Sequence, residues 1–244
     1  MKDFNLDKAF MAVKAQRYEE AQNAYESALQ KLPSVEAWTG LGICKLFQLL
    51  SDQTMEEVVY CFNQARNIEG ADKGAIELQL ISYSALVAEQ GASYCITLID
   101  EIIQAEKSVA NSVITAGLAA GLASNAKTLS GSIVSGTVAI ASAGVAIGKL
   151  GQISNHKTAG NLVFKMITEI HAQITNYLID SSNENYEVLA FNTRMIELKN
   201  IISEASVKGL NSSKWYNTSY VWVWLIFFWP VGVYGLIMRS KNNS

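Results

Sequence analysis

The side chains able to do chemistry are few and scattered along this 244-residue chain. Its two histidines, His156 and His171, stand fifteen positions apart, which matches no metal-ligand spacing. His171 falls beside an apolar stripe and reads as a packing or surface residue. The stretch Gly144-Val-Ala-Ile-Gly148-Lys149-Leu150 approaches a phosphate-binding loop, but its first spacing is one residue short. Leu150 also stands where a hydroxyl should reach magnesium. Glu19–Glu20 and Glu56–Glu57 are paired acids, of the type used for general acid–base work. They recur at one place in a repeat, however, and read as a solvated face. Cys44, Cys61 and Cys95 are odd in number and form no CxxC pair, which favours reduced, packed thiols in a reducing compartment. No nucleophile–base arrangement emerges. The expectation is a chain without catalytic residues, bound metal or cofactor, and not an enzyme.

The elements that would carry a binding site are helical. Residues 1–108 hold 9 basic and 16 acidic side chains, an acidic balance that argues against nucleic acid as partner. Within them two segments superpose without a gap. Tyr18-Glu-Glu-Ala21-Gln-Asn-Ala-Tyr25-Glu-Ser-Ala28 runs on to Leu32-Pro33. Met55-Glu-Glu-Val58-Val-Tyr-Cys-Phe62-Asn-Gln-Ala65 runs on to Gly70. Between them lies Trp38-Thr-Gly-Leu41-Gly42. Small residues at fixed places let two helices approach, an aromatic fills the gap toward the next pair, and proline stops the second helix.

This arrangement resembles the tetratricopeptide repeat (TPR). Ala9, Tyr18, Ala21, Tyr25, Ala28 and Pro33 match in a first repeat, and Trp38, Leu41 and Gly42 in a second. The departures are Asn5 and Lys8 in place of tryptophan and leucine, Lys45 at an aromatic position, and about four extra residues around 49–53. A third pair, about 73–88 and 92–107, keeps the helical period without the signature. The resemblance implies a binding face on the first helix of each pair. That face would hold Phe10, Val13 and Lys14, then Thr39, Ile43, Leu46 and Phe47. Being largely apolar, it would suit an amphipathic helix or peptide of a protein partner, or be filled by later helices of the same chain.

Composition changes at Val109. Ala, Gly, Ser and Thr dominate to about residue 154, and uncharged runs at 108–126 and 128–148 are divided by Lys127. Small residues recur one turn apart, with Gly117 and Gly121, then Ser132 and Gly136, then Gly144 and Gly148. Such spacing allows close helix–helix packing, within one chain or in a homo-oligomer. Three readings stand: a membrane hairpin turning near 125–127, a long helix packed on the rest, or a segment that inserts later as a pore former does. Beyond it, Leu162, Val163, Met166, Ile167, Ile170, Ile174, Tyr177 and Leu178 form one helical stripe. Val188, Phe191, Met195, Leu198, Ile202 and Ala205 form another, and the two stripes imply an antiparallel helix pair.

Residues 220–238 carry no charged side chain over a length close to a bilayer's hydrocarbon core. Trp215, Tyr216 and Tyr220 at the entry and Arg239 and Lys241 at the exit suit a membrane interface. The start, MKDFNLDKAF, lacks the apolar core of a signal peptide. The expected fold class is all-α. It comprises TPR-like helical repeats at 1–108, a Gly/Ala-rich long helix or helical hairpin at 109–155, and an amphipathic helix pair with linker at 156–213. A C-terminal transmembrane helix at 214–244 would complete it. The expected function is a membrane-tethered interaction scaffold, or a membrane-active protein inserting 109–151. Its partners would be a protein and membrane lipid. Its location would be a single-pass membrane position with the N-terminal domain in the cytoplasm.

Overall fold

Ser34 ends an extended approach, and its hydroxyl accepts a hydrogen bond from the Ala37 N–H at 3.2 Å, opening a helix. Thr54 opens the next through a reciprocal capping box. Its hydroxyl accepts from the Glu57 N–H, and its own N–H donates to the Glu57 carboxylate. Leu32, extended before Pro33, closes the preceding helix. In the computed structural model, residues 4–51, 53–125, 129–178 and 186–213 are described. They form seven helices and, among the described residues, no strand: α1 (Phe4–Lys14), α2 (Tyr18–Lys31), α3 (Val35–Phe47), α4 (Met55–Arg66), α5 (Lys73–Asn125), α6 (Leu129–Tyr177) and α7 (Tyr186–Ser213).

The chain divides into two compact units. The first takes the described residues up to Ser93 together with Leu162–Ile201. The second takes Tyr94–Asn161 and the described residues from Ile202 onward.

In the first unit α1 packs on α2, α2 on α3 and α3 on α4. The small residues placed at helix contacts are buried there: Ala9 and Ala21 are 0% exposed and Ala28 1%. The closest approaches centre on α3. A Cβ on Gly40 would stand 2.2 Å from the Tyr25 ring, and one on Gly42 would stand 2.7 Å from the Phe62 ring. Positions two apart on a helix point about 200° apart. Gly40 therefore receives the aromatic of α2 and Gly42 that of α4, and α3 is held between two rings that occupy equivalent places in the repeated segments. Lys45 donates to Gln53 Oε1 at 2.6 Å and lies 3.7 Å from Glu57. It thereby ties the longer connection, residues 48–54, back to the helix pair.

The expected third helix pair is instead one uninterrupted helix, α5. Gly91, at the expected break, is buried, and a Cβ there would meet Val163 and Met166 of α6 at 3.1 and 3.0 Å. It serves close packing rather than a turn. The first expected amphipathic helix is likewise the end of α6, which begins back at Leu129. Ile167, Ile170 and Ile174 of α6 and Met195 of α7 are all fully buried. In the second unit, Cys95 Sγ lies 3.6 Å from the Gly160 carbonyl, and Lys157 pairs with Glu106 at 3.4 Å.

The membrane elements of the expected architecture need correction. No helix among the described residues is long and apolar enough to cross a membrane. The described parts of the two uncharged runs lie within α5 and α6, where Gly, Ser, Thr and Asn recur and dilute their hydropathy. The membrane-hairpin and pore-forming readings of 109–151 fail on this ground. The expected anchor, with Trp215, Tyr216, Tyr220, Arg239 and Lys241, lies outside the described residues. No described element supplies the transmembrane helix of the expected fold class. The membrane-tethered function, the lipid partner and the single-pass location that rest on it are withdrawn.

Candidate functional site

The residues placed on one binding face divide into two groups. On α1, Phe10 is 53% exposed, Val13 is half-buried and Lys14 is exposed. The Lys14 ammonium stands 4.5 Å from the centre of the Phe10 ring, a cation–π contact at the surface. On α3 the corresponding residues are covered. Thr39 is 5% exposed, and its hydroxyl donates to the Val35 carbonyl at 2.9 Å. Ile43 is 9% exposed and Leu46 0%. Phe47 stacks on Tyr18 with ring centres 4.8 Å apart and meets Tyr83 of α5 edge-on at 6.3 Å. At α3, then, an aromatic of the chain's own later helix occupies the face, while at α1 the apolar surface stays open. Met11, 63% exposed, enlarges that surface.

A shallow polar groove of about 430 Å³ lies on the α1–α2 hairpin, lined by Lys8, Glu19, Glu20, Asn23, Ala24 and Ser27. Glu20 pairs there with Arg17 at 2.7 Å and more loosely with Lys8 at 3.8 Å.

The glycines expected to mediate helix packing are set differently from that expectation. A Cβ on Gly117, Gly144 or Gly148 would meet nothing within 4 Å. Gly121 lies in α5 and Gly136 in α6. The surroundings of these two fall outside what the structure describes.

The reactive residue types are engaged in packing. Cys44, Cys61 and Cys95 are free and buried. Burial pushes the Cys44 thiol up to about 12 and the Cys61 thiol up to about 11, the opposite of an activated thiolate. Among the described residues no three metal-binding side chains cluster. Glu77 is buried beside Arg66 at 3.3 Å, and the Arg66 guanidinium lies over the Tyr177 ring at 5.0 Å. This ion pair joins α4, α5 and α6.

One polar network was not legible as such. On α6, His171 Nε2 lies 3.1 Å from Asn192 Oδ1 of α7, and the Thr175 hydroxyl is 3.0 Å from that same oxygen. Lys199 Nζ, also on α7, is 2.7 Å from His171 Nδ1. The ammonium can only donate, so Nδ1 accepts and Nε2 carries the proton given to Asn192. The signal was available: 171 and 175 are one turn apart, 192 and 199 two turns, so each pair shares a helix edge. Burial holds the His171 pKa below its ordinary value. The Lys199 charge lowers it further, and the Asn192 bond opposes part of the shift.

The consequence for stability has a definite sign. A depressed histidine favours the fold while neutral, so its contribution is complete above the ordinary histidine value of about 6.5 and is lost as pH falls below that. Lowering pH from 7 to 5 is expected to lower the thermal unfolding midpoint, and His171→Gln is expected to remove part of that drop. Equal slopes for parent and variant would exclude this role for the network.

Compared with protein-family models, with curated proteins and with solved structures, the chain matches none.

Proposed function

We propose that the helical hairpins of residues 4–66 act as a TPR-like protein-interaction module, taking a peptide or amphipathic helix against the open face of α1. The observation that carries this reading is the contrast between two equivalent faces. The α3 face is covered and meets Tyr83, whereas on α1 Phe10 and Met11 are exposed beside the Lys14 cation and Val13 is half-buried. Lys14 would favour a partner with an acidic residue next to its apolar anchor, because the ammonium can turn from the Phe10 ring to a carboxylate. Such a surface supports recognition rather than catalysis. The role is that of an adaptor whose repeats present one face to a partner.

Peptides selected on the full chain from a random display library provide the test. Phe10→Ala is expected to weaken their binding about tenfold or more, since truncating a central aromatic anchor commonly costs more than 1 kcal/mol. Lys14→Glu should weaken acidic peptides and spare neutral ones. Both positions are exposed, so the unfolding midpoint should stay close to the parent's. Selected peptides that bind with undiminished affinity to both variants would place the interaction elsewhere.

A further inference from the structure

Helix α7 carries two apolar faces. One holds Phe191, Met195, Leu198 and Ile202, each no more than 5% exposed. The other lies on nearly the opposite side of the helix. Tyr186, Leu189, Thr193, Ile196 and Asn200 follow one another at alternating intervals of three and four, and Val207 continues the series. Tyr186 is 77% exposed, Leu189 65%, Ile196 51% and Val207 56%. Alternation of three and four is the pattern of a coiled-coil seam, and this one runs through about three heptads of one continuous helix.

We infer that this exposed stripe of α7 is a dimerisation seam that pairs with the same stripe of a second copy of the chain, parallel and in register. The flanking charges select that occupant. In a heptad frame with Asn200 on the seam, Glu197 and Glu204 fall on one flank and Lys199 on the other. A parallel pair sets Lys199 of one chain against Glu204 of the other, twice by symmetry. An antiparallel pair would set each flank against itself, bringing glutamates together. Lys199 has three donors, so it can reach the Glu204 carboxylate of the second copy while keeping its contact with His171. Asn200 sits at a position where a polar side chain fixes register, because side-by-side asparagines hydrogen-bond only when the chains are aligned. With Thr193 and Ser203 also on the seam, the dimer should be concentration-dependent rather than obligate.

The test uses the purified full chain. Sedimentation over a concentration series is expected to show a monomer–dimer equilibrium. Ile196→Glu should weaken it about tenfold or more, since a charge would be desolvated at the seam. Circular dichroism and the unfolding midpoint should remain those of the parent monomer, because Ile196 leaves the buried face untouched. Asn200→Cys should give a covalent dimer under mild oxidation, and Glu69→Cys, exposed and off the helix, should not. Lys199→Glu and Glu204→Lys should each weaken self-association, and their equimolar mixture should restore it, because both flanking pairs then become attractive. A parent that stays monomeric throughout would overturn the inference. So would a dimer indifferent to Ile196→Glu, or one whose Asn200→Cys form fails to cross-link.

Discussion

Replacing Phe62 with alanine is expected to cost about 3–5 kcal/mol of folding stability, a large part of what holds a domain together. The ring is fully buried on α4 and lies where a Cβ on Gly42 would come within 2.7 Å of it. No side chain stands between ring and backbone, so removing the ring leaves α3 facing a void that Gly42 cannot fill. Collapse would require α3 to move toward α4, and Tyr25 on its other side restrains that movement. Phe62→Leu keeps most of the volume and should fall between the parent and the alanine variant. Denaturant unfolding of the full chain reads both. A loss below about 1 kcal/mol for Phe62→Ala would mean that the α3–α4 contact does not depend on the ring.

The contacts that could be read in advance are those in which both partners belong to a repeated local pattern. The repeat resemblance implies helix contacts at Ala9, Ala21 and Ala28, and each is buried. Spacing shows where a helix can be approached, not which helix approaches it. Gly117, Gly144 and Gly148 have the spacing of a close-packed face, yet each looks onto open space. Gly91, which resembles a turn signal, is pressed against α6 from more than seventy positions away in sequence. The candidate binding face shows the same limit. Thr39, Ile43, Leu46 and Phe47 lie on α3 as Phe10, Val13 and Lys14 lie on α1. What distinguishes the covered face from the open one is tertiary: Phe47 stacks on Tyr18 of α2 and meets Tyr83 of α5. The unbroken run of α5 through Gly91 is likewise announced by no local preference, since an isolated glycine weakens a helix by about 1 kcal/mol unless packing compensates. The network of His171, Asn192 and Lys199 is a case between these. Helical spacing aligned the members on each helix, and only the pairing of α6 with α7 joined them.

Gly40→Ala should destabilise the chain by about 1–3 kcal/mol, although alanine is the better helix former by about 1 kcal/mol. The added methyl would stand 2.2, 2.5 and 2.7 Å from three atoms of the Tyr25 ring, so a slight tilt of the ring cannot relieve all three contacts. Tyr25 is only 6% exposed and is enclosed among the residues that join α1, α2 and α3. The ring must therefore push its neighbours aside, or α2 must draw away from α3. The steric cause can be separated from any general defect of the variant by a double-mutant cycle with Tyr25→Leu. The shorter side chain should itself destabilise the fold, since it leaves part of the ring's space empty. In that background Gly40→Ala should lose most of its cost and could become stabilising, because only its helix preference would remain. Equal costs of Gly40→Ala in the two backgrounds would show that the ring is not what the glycine accommodates.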